Sequence, residues 1–125
     1  MIESQNEHVE MEFKDGILIV RFLAKKLDLK TAKSIVLLRK EFSGYKDFAG
    51  LADARKVASV SREAREYLSS AEATEGVLAG AILSDSSFSA FLANFFLKVS
   101  KPRIPTRIFT DEKKALDWLE QFKKK

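Results

Sequence analysis

The sequence predicts an α/β domain with the element order ββαβαβαβα, in which a mixed, mostly parallel sheet is packed with four helices. Its 125 residues suit one domain, since domains most often have about 100–150 residues. A hairpin signal near the start, and a regular alternation of short apolar runs with helical patterns after it, predict the order of elements. We expect a single domain over residues 1–125, with residues 1–6 and 123–125 as flexible ends.

A strand, a turn and a second strand open the domain. In residues 7–14 apolar and polar side chains alternate, which is typical of a half-buried strand. The pair Asp15-Gly16 favours a two-residue hairpin turn. Residues 17–23 are apolar and rich in β-branched side chains, which predicts a second, mostly buried strand.

A helix, a strand and a loop are predicted to follow the hairpin. A helical period over residues 27–42 predicts a first helix, with Asp28 as its N-cap and Gly44 at its end. The run from Phe48 to Ala54 is small and apolar, which predicts a central strand. Residues 55–60 after it are expected to form a loop.

The second half of the chain continues the alternation. A second helix is predicted over residues 61–71, and the apolar run 76–83 is typical of a strand that is covered on both faces. A Phe-rich helix is predicted over residues 87–99 and a short strand over residues 106–109. A last helix with one apolar face is expected to begin at residue 110.

The composition excludes several kinds of chemistry. Without cysteine there is no disulfide scaffold, thiol nucleophile or Cys-ligated metal, and the single histidine, His8, leaves no partners for a multi-His metal site. The sequence also has no Gly-rich phosphate loop, nucleophile elbow or zinc-binding helix motif. We therefore expect no enzyme, no catalytic residue, no metal and no cofactor.

The net charge of +4 suggests nucleic-acid binding, but its distribution favours another explanation. Residues 1–15 carry a net charge of −4 and the rest of the chain +8, part of which is the lysine run 123–125. Lysines at the end of a helix complement its dipole, so no nucleic-acid partner is expected. No apolar run is long enough to span a membrane, and no signal peptide is apparent, so the expected location is the cytoplasm.

Polar side chains cluster where the central strand ends and the next helix begins. They are Asp53, Arg55, Ser59, Ser61 and Arg62. Ligands favour this edge of parallel sheets, and a helix N-terminus can hold an anion, so the cluster is a candidate site for a ligand or a partner. Asp85, after the following strand, is expected to line the other wall of the same crevice. The alternative is that Ser61 caps the helix, Asp53 binds backbone N–H groups and the arginines are solvated.

The Phe-rich helix carries an apolar surface wider than a single stripe. Phe95, Phe96 and Leu97 extend this surface and form a candidate interface. Three explanations remain open: additional core packing, a homodimer or partner surface, and the cover of a pocket for a lipophilic ligand.

Much of the chain resembles the STAS-like, anti-sigma-factor-antagonist-like proteins of bacteria. The stretches that carry the resemblance are residues 51–55, 60–65, 93–97, 101–102, 105–112 and 115–119. The resemblance implies four helices around a mixed sheet, a fold related to CRAL-TRIO-type lipid-binding domains. In true antagonists a partner kinase phosphorylates a serine in an Asp-Ser-Ser-Gly-like element. The corresponding region here contains Ser59 and Ser61, without that aspartate or glycine.

These observations predict a non-enzymatic binding or regulatory module that acts through contact with a protein partner or a second copy of the chain. The alternative is a carrier or sensor of a small lipophilic or anionic ligand. The alternative predicts a cavity beneath the Phe-rich helix.

Overall fold

The computed structural model describes residues 4–5, 7–85 and 104–123. Its strands are β1 (Ser4–Gln5), β2 (Val9–Lys14), β3 (Ile17–Phe22), β4 (Lys26–Leu27), β5 (Phe48–Asp53), β6 (Ser59–Val60), β7 (Val77–Leu83) and β8 (Thr106–Phe109). Its α-helices are α1 (Leu29–Ser43), α2 (Arg62–Leu68), α3 (Ala71–Thr74) and α4 (Glu112–Leu119), and a 3₁₀ turn at Glu120–Phe122 follows.

Six strands form one sheet in the order β1-β2-β3-β5-β7-β8. The first two pairs are antiparallel, and the pairs from β3 to β8 are parallel. The hairpin turn between β2 and β3 has positive φ at Asp15 and Gly16, as a two-residue turn of type I′ requires. The predicted α/β class with a mainly parallel sheet is therefore confirmed.

One face of the sheet packs against α4. The residues buried between them are Ile17, Ile19, Ala49, Leu51, Ala79, Ala81, Leu83, Ala115 and Leu119. The rings of Trp118 and Phe122 close this core, with centroids 4.8 Å apart. The predicted apolar face of the last helix is thus confirmed, and burial of each large apolar side chain here contributes about 1.5–3 kcal/mol.

The other face of the sheet packs against α1. The buried residues of this second core are Val9, Met11, Leu18, Val20, Leu27, Ile35 and Phe48. The helix begins at Asp28, whose side chain accepts a hydrogen bond from the Thr31 N–H at 2.8 Å, and ends at Gly44 in the left-handed conformation. Both predicted ends of this helix are confirmed.

Several details differ from what the sequence predicts. Ser4–Gln5 pairs with β2, although no element was predicted before residue 7. Ser59–Val60 was predicted as a loop but pairs with β4, because the Ser61 N–H donates to the Leu27 carbonyl and the Ser59 N–H donates to the Lys25 carbonyl. The helix predicted over residues 61–71 is two helices, because Ser70 caps a new helix at the Ala73 N–H.

The Phe-rich helix predicted over residues 87–99 lies outside the described residues. So do the candidate interface residues Phe95, Phe96 and Leu97. Contact between copies of the chain through these side chains therefore stays a prediction.

Candidate functional site

The structure divides the predicted polar cluster between two places. Asp53 and Arg55 lie at the carboxyl end of β5, next to the end of β3. Ser59, Ser61 and Arg62 lie on β6 and at the start of α2. The cluster is therefore not one binding loop.

Asp53 is the centre of an ion-pair network. It is 6% exposed, and its two carboxylate oxygens accept hydrogen bonds from Arg55 Nε at 2.9 Å and Arg55 Nη2 at 2.8 Å. Arg21 Nη1 donates to Asp53 at 2.8 Å and also to Glu112 at 2.8 Å. The network thus joins β3, β5 and the first turn of α4.

The sequence analysis missed Arg21 and Glu112. Arg21 is a charged residue near the end of an otherwise apolar strand, and in the parallel register it lies beside Asp53. A charged residue in an otherwise apolar run indicates that Arg21 has a particular role. The identity of its partner, however, depends on how the strands pair. Glu112 is 91 residues away along the chain and reaches Arg21 only through the tertiary fold.

The network controls the ionisation of its carboxyl groups. Burial alone raises the pKa of Asp53, but hydrogen bonds from Arg55 and Arg21 outweigh it and hold this pKa below its usual range. The Arg21 hydrogen bond likewise lowers the pKa of Glu112. Asp53 and Glu112 are therefore charged at neutral pH. They already form ion pairs with the guanidinium groups that a bound anion would need.

Asp85 lies on the same polar wall as Asp53 and Arg55. The described residues of this wall include three basic and four acidic side chains, which are Arg21, Arg55, Lys56, Glu10, Asp53, Asp85 and Glu112. The positive charges are compensated within the protein. The wall therefore does not offer the basic anion site that the sequence suggested as one alternative.

Ser61 and Arg62 perform local structural tasks. The Ser61 hydroxyl accepts a hydrogen bond from the Ala64 N–H at 3.1 Å and so caps α2. Arg62 forms an exposed ion pair with Glu66 one turn later, with Nε and Oε1 3.2 Å apart. These contacts support the alternative explanation, in which capping and solvation account for both residues.

The capping role makes a prediction for two serines. Ser61→Ala should lower the free energy of unfolding by about 1 kcal/mol, because α2 loses the acceptor for a backbone N–H. Ser59→Ala is the matched control and should change it by less than about 0.5 kcal/mol, since Ser59 is exposed. Urea denaturation followed by circular dichroism measures both values. Equal losses in the two variants would contradict the capping role.

A cavity of about 300 Å³ lies between the sheet and α1, α2 and α3. We call it the apolar cavity. Its floor is formed by Gly50, Ala52, Gly80 and Ile82, and Val36 and Leu68 are part of its helical wall. Most of its described lining is apolar, so the cavity provides a different environment from the polar wall at Asp53.

Small residues on the two central strands create the space. Gly50 of β5 and Gly80 of β7 are direct neighbours in the parallel register, and Ala52 lies beside Ile82. Strand side chains alternate between the faces, so Ala79 and Ala81 fill the core under α4 while Gly80 faces the cavity. The sequence analysis placed these glycines in strands but did not identify the cavity, because their juxtaposition depends on the register.

Two other kinds of site are absent from the part of the chain that the structure describes. There, no three acidic or histidine side chains lie together in a group that could hold a metal ion. Among those same residues no helix has the length and apolar character needed to cross a membrane.

Comparison with known proteins gives a family and a fold. Residues 11–123 match a family described as a domain of unknown function, DUF7793. The crystal structure of an uncharacterised DUF3478-family protein from Shewanella loihica PV-4, described as having a SpoIIAA-like fold, is similar with a TM-score of 0.65. The two sequences are 18% identical, and the match covers 93% of this chain and 98% of that one.

A second solved structure, of a protein with unknown function from Arthrobacter sp. FB24, is 28% identical. It covers 88% of this chain and 97% of its own, but its TM-score is 0.33, which is too low to support an argument about fold. No curated protein matches the chain. The SpoIIAA-like neighbour has the STAS-like fold that the sequence predicts. The chain belongs to the DUF7793 family of domains of unknown function and has a STAS-like fold.

Proposed function

We propose that the protein is a non-enzymatic module that binds a small lipophilic ligand in the apolar cavity. The observation that carries the proposal is the cavity itself, whose 300 Å³ lies at the lower end of the range for ligand pockets, about 300–1,000 Å³. Its lining is apolar with a few polar groups, as is usual for such pockets. The relation of the STAS-like fold to CRAL-TRIO-type lipid-binding domains, which the sequence resemblance implies, points in the same direction and stays a prediction.

The volume favours a small ligand. At about 300 Å³ the cavity lies at the lower end of the range for pockets that bind small molecules. A single hydrocarbon chain with a small head group suits a cavity of this size and this apolar lining.

A series of straight-chain alcohols from butanol to decanol tests the proposal. Each added methylene should tighten Kd about fourfold, since its burial contributes about 0.8 kcal/mol, until the cavity is full. Titrations followed by ¹H–¹⁵N NMR give both Kd and the place of binding, and the amides of Gly50 and Gly80 should shift most. If no alcohol binds, or if the shifts lie away from these two glycines, the proposal is wrong.

Contact with a protein partner was the leading prediction from the sequence. Its candidate surface at Phe95–Leu97 lies outside the described residues, and its candidate loop is divided and internally neutralised. We therefore advance ligand binding as the proposed function.

A further inference from the structure

Charge is distributed unequally around the apolar cavity. Of the described residues that line it, two are charged, and these are Arg39 of α1 and Arg65 of α2. No acidic side chain is among the described lining residues. Removing a guanidinium group from water is unfavourable unless its N–H groups find acceptors, so the contacts of Arg39 bear on the class of ligand that the cavity would take.

Arg39 is held in place by backbone carbonyls. Its Nη1 donates to the Ala73 carbonyl at 2.8 Å, and its Nη2 donates to the Glu75 carbonyl at 3.3 Å. The guanidinium carbon also lies 5.3 Å from the centre of the Phe48 ring. These contacts fix the guanidinium between α1, α3 and β5, but the hydrogen bonds go to neutral oxygens.

One donor of Arg39 remains unused. Its Nε is buried and, among the described residues, has no hydrogen-bond acceptor. Burial lowers the pKa of Arg39, while the Glu75 carboxylate raises it only through space. A guanidinium keeps its charge in proteins, so the site contains a partly buried cation with a buried N–H that an anion would satisfy.

We propose that the ligand of the apolar cavity is an anionic amphiphile, whose carboxylate-like head group binds at Arg39 and Arg65 while its hydrocarbon chain lies over Gly50 and Gly80. This inference rests on the proposed function and specifies the class of ligand. The head group would accept a hydrogen bond from the Arg39 Nε, and its negative charge would be favoured beside the two guanidinium groups that line the cavity. The small volume of the cavity favours short and medium-chain monocarboxylates.

Three probes of equal chain length test the inference: octanoate, octanol and octylamine. Octanoate should bind at least about tenfold more tightly than octanol, because a hydrogen bond to a charged group strengthens binding. Octylamine, which is a cation at neutral pH, should bind more weakly than octanol. Isothermal titration calorimetry measures the three values of Kd on the intact protein.

Substitutions assign the head-group site. In Arg39→Met or Arg65→Met the advantage of octanoate over octanol should fall to less than threefold, as expected from the loss of a charged hydrogen bond. Octanol affinity is measured in each variant as the reference, because methionine in the cavity wall also changes the apolar contacts of the hydrocarbon chain. If Arg39→Met fails to fold, Arg39→Lys is a second variant that keeps the positive charge. In Arg39→Lys octanoate should retain part of its advantage over octanol. Arg62→Met removes an exposed arginine of the same helix and should leave all three affinities unchanged.

The possible failures are distinguishable. If octanol binds and octanoate binds no better, the inference is overturned while the proposed function stands. The inference is also overturned if octanoate keeps its advantage in both Arg39→Met and Arg65→Met. If none of the three probes binds to the unmodified protein, the proposed function itself fails.

Discussion

Replacing Arg21 with methionine is expected to lower the free energy of unfolding by about 2–3 kcal/mol at neutral pH. Loss of one partner from a buried ion pair costs about 3–5 kcal/mol, and we take a smaller value because Arg55 remains and the Arg21 side chain is 28% exposed. The substitution leaves Glu12, Asp53 and Glu112 around an apolar side chain. Chemical denaturation followed by circular dichroism measures the loss.

The effect of this substitution should depend on pH. The folded-state pKa values of Asp53 and Glu112 lie below their usual range, so the two carboxylates stabilise the fold at neutral pH. This contribution is lost as the pH falls through the folded-state values. In Arg21→Met both pKa values rise, so the difference in stability between the variant and the unmodified protein should shrink between about pH 5 and pH 3.

A matched control separates this network from ordinary surface pairs. Arg62→Met breaks an Arg–Glu pair whose two side chains are 80% and 64% exposed. Such pairs contribute about 0–1 kcal/mol, so the control should change stability little at any pH. If Arg21→Met proves as mild as Arg62→Met, or if its effect is the same at pH 3 and pH 7, the network does not stabilise the fold as described.

Replacing Gly80 with leucine is expected to abolish the binding of octanol and to raise stability. A Cβ atom at Gly80 would meet Ile104 Cδ1 at 3.7 Å, which is an ordinary contact, so a side chain can enter the cavity. Its four carbons would occupy part of the space in which octanol binds. Octanol should bind at least tenfold more weakly, and filling the cavity should add about 1 kcal/mol to the free energy of unfolding.

Gly80→Ala is the control for this prediction, since one methyl group leaves most of the volume and should change Kd by less than about threefold. Gly50 is a poorer position, because a Cβ there would lie 3.0 Å from Phe48 Cε2. Ala52→Leu fills the same floor from β5 and provides an independent variant. Unchanged octanol binding in both leucine variants would show that the ligand binds elsewhere.

Local signals predicted most of the fold. The Asp15-Gly16 turn, the Asp28 cap and the Gly44 helix end depend on a few neighbouring residues, and all three occur as predicted. Pairing between distant segments was not predicted. The strand at Ser59–Val60 exists because Lys26–Leu27 lies beside it, which no pattern within residues 55–60 indicates.

The candidate site depends on tertiary structure more than the individual helices and turns do, so less of it was predicted. The sequence analysis identified Asp53 and Arg55, but their network required Arg21 from one strand and Glu112 from a distant helix. The apolar cavity arises because Gly50 and Gly80 lie side by side in the parallel register. Each glycine alone had an ordinary explanation, and Arg39 on a helix face gave no sign that it lines a cavity.

The alternation of side chains along β7 has a consequence for how the family could diversify. Ala79, Ala81 and Leu83 belong to the core under α4, while Gly80 and Ile82 belong to the cavity floor. Because successive side chains of a strand point to opposite faces of the sheet, these two sets of residues contact different neighbours. Ligand size could therefore be retuned by exchanging one or two residues of this strand, without a compensating change in the core. The same separation makes β7 a practical starting point for engineering binders of chosen chain length.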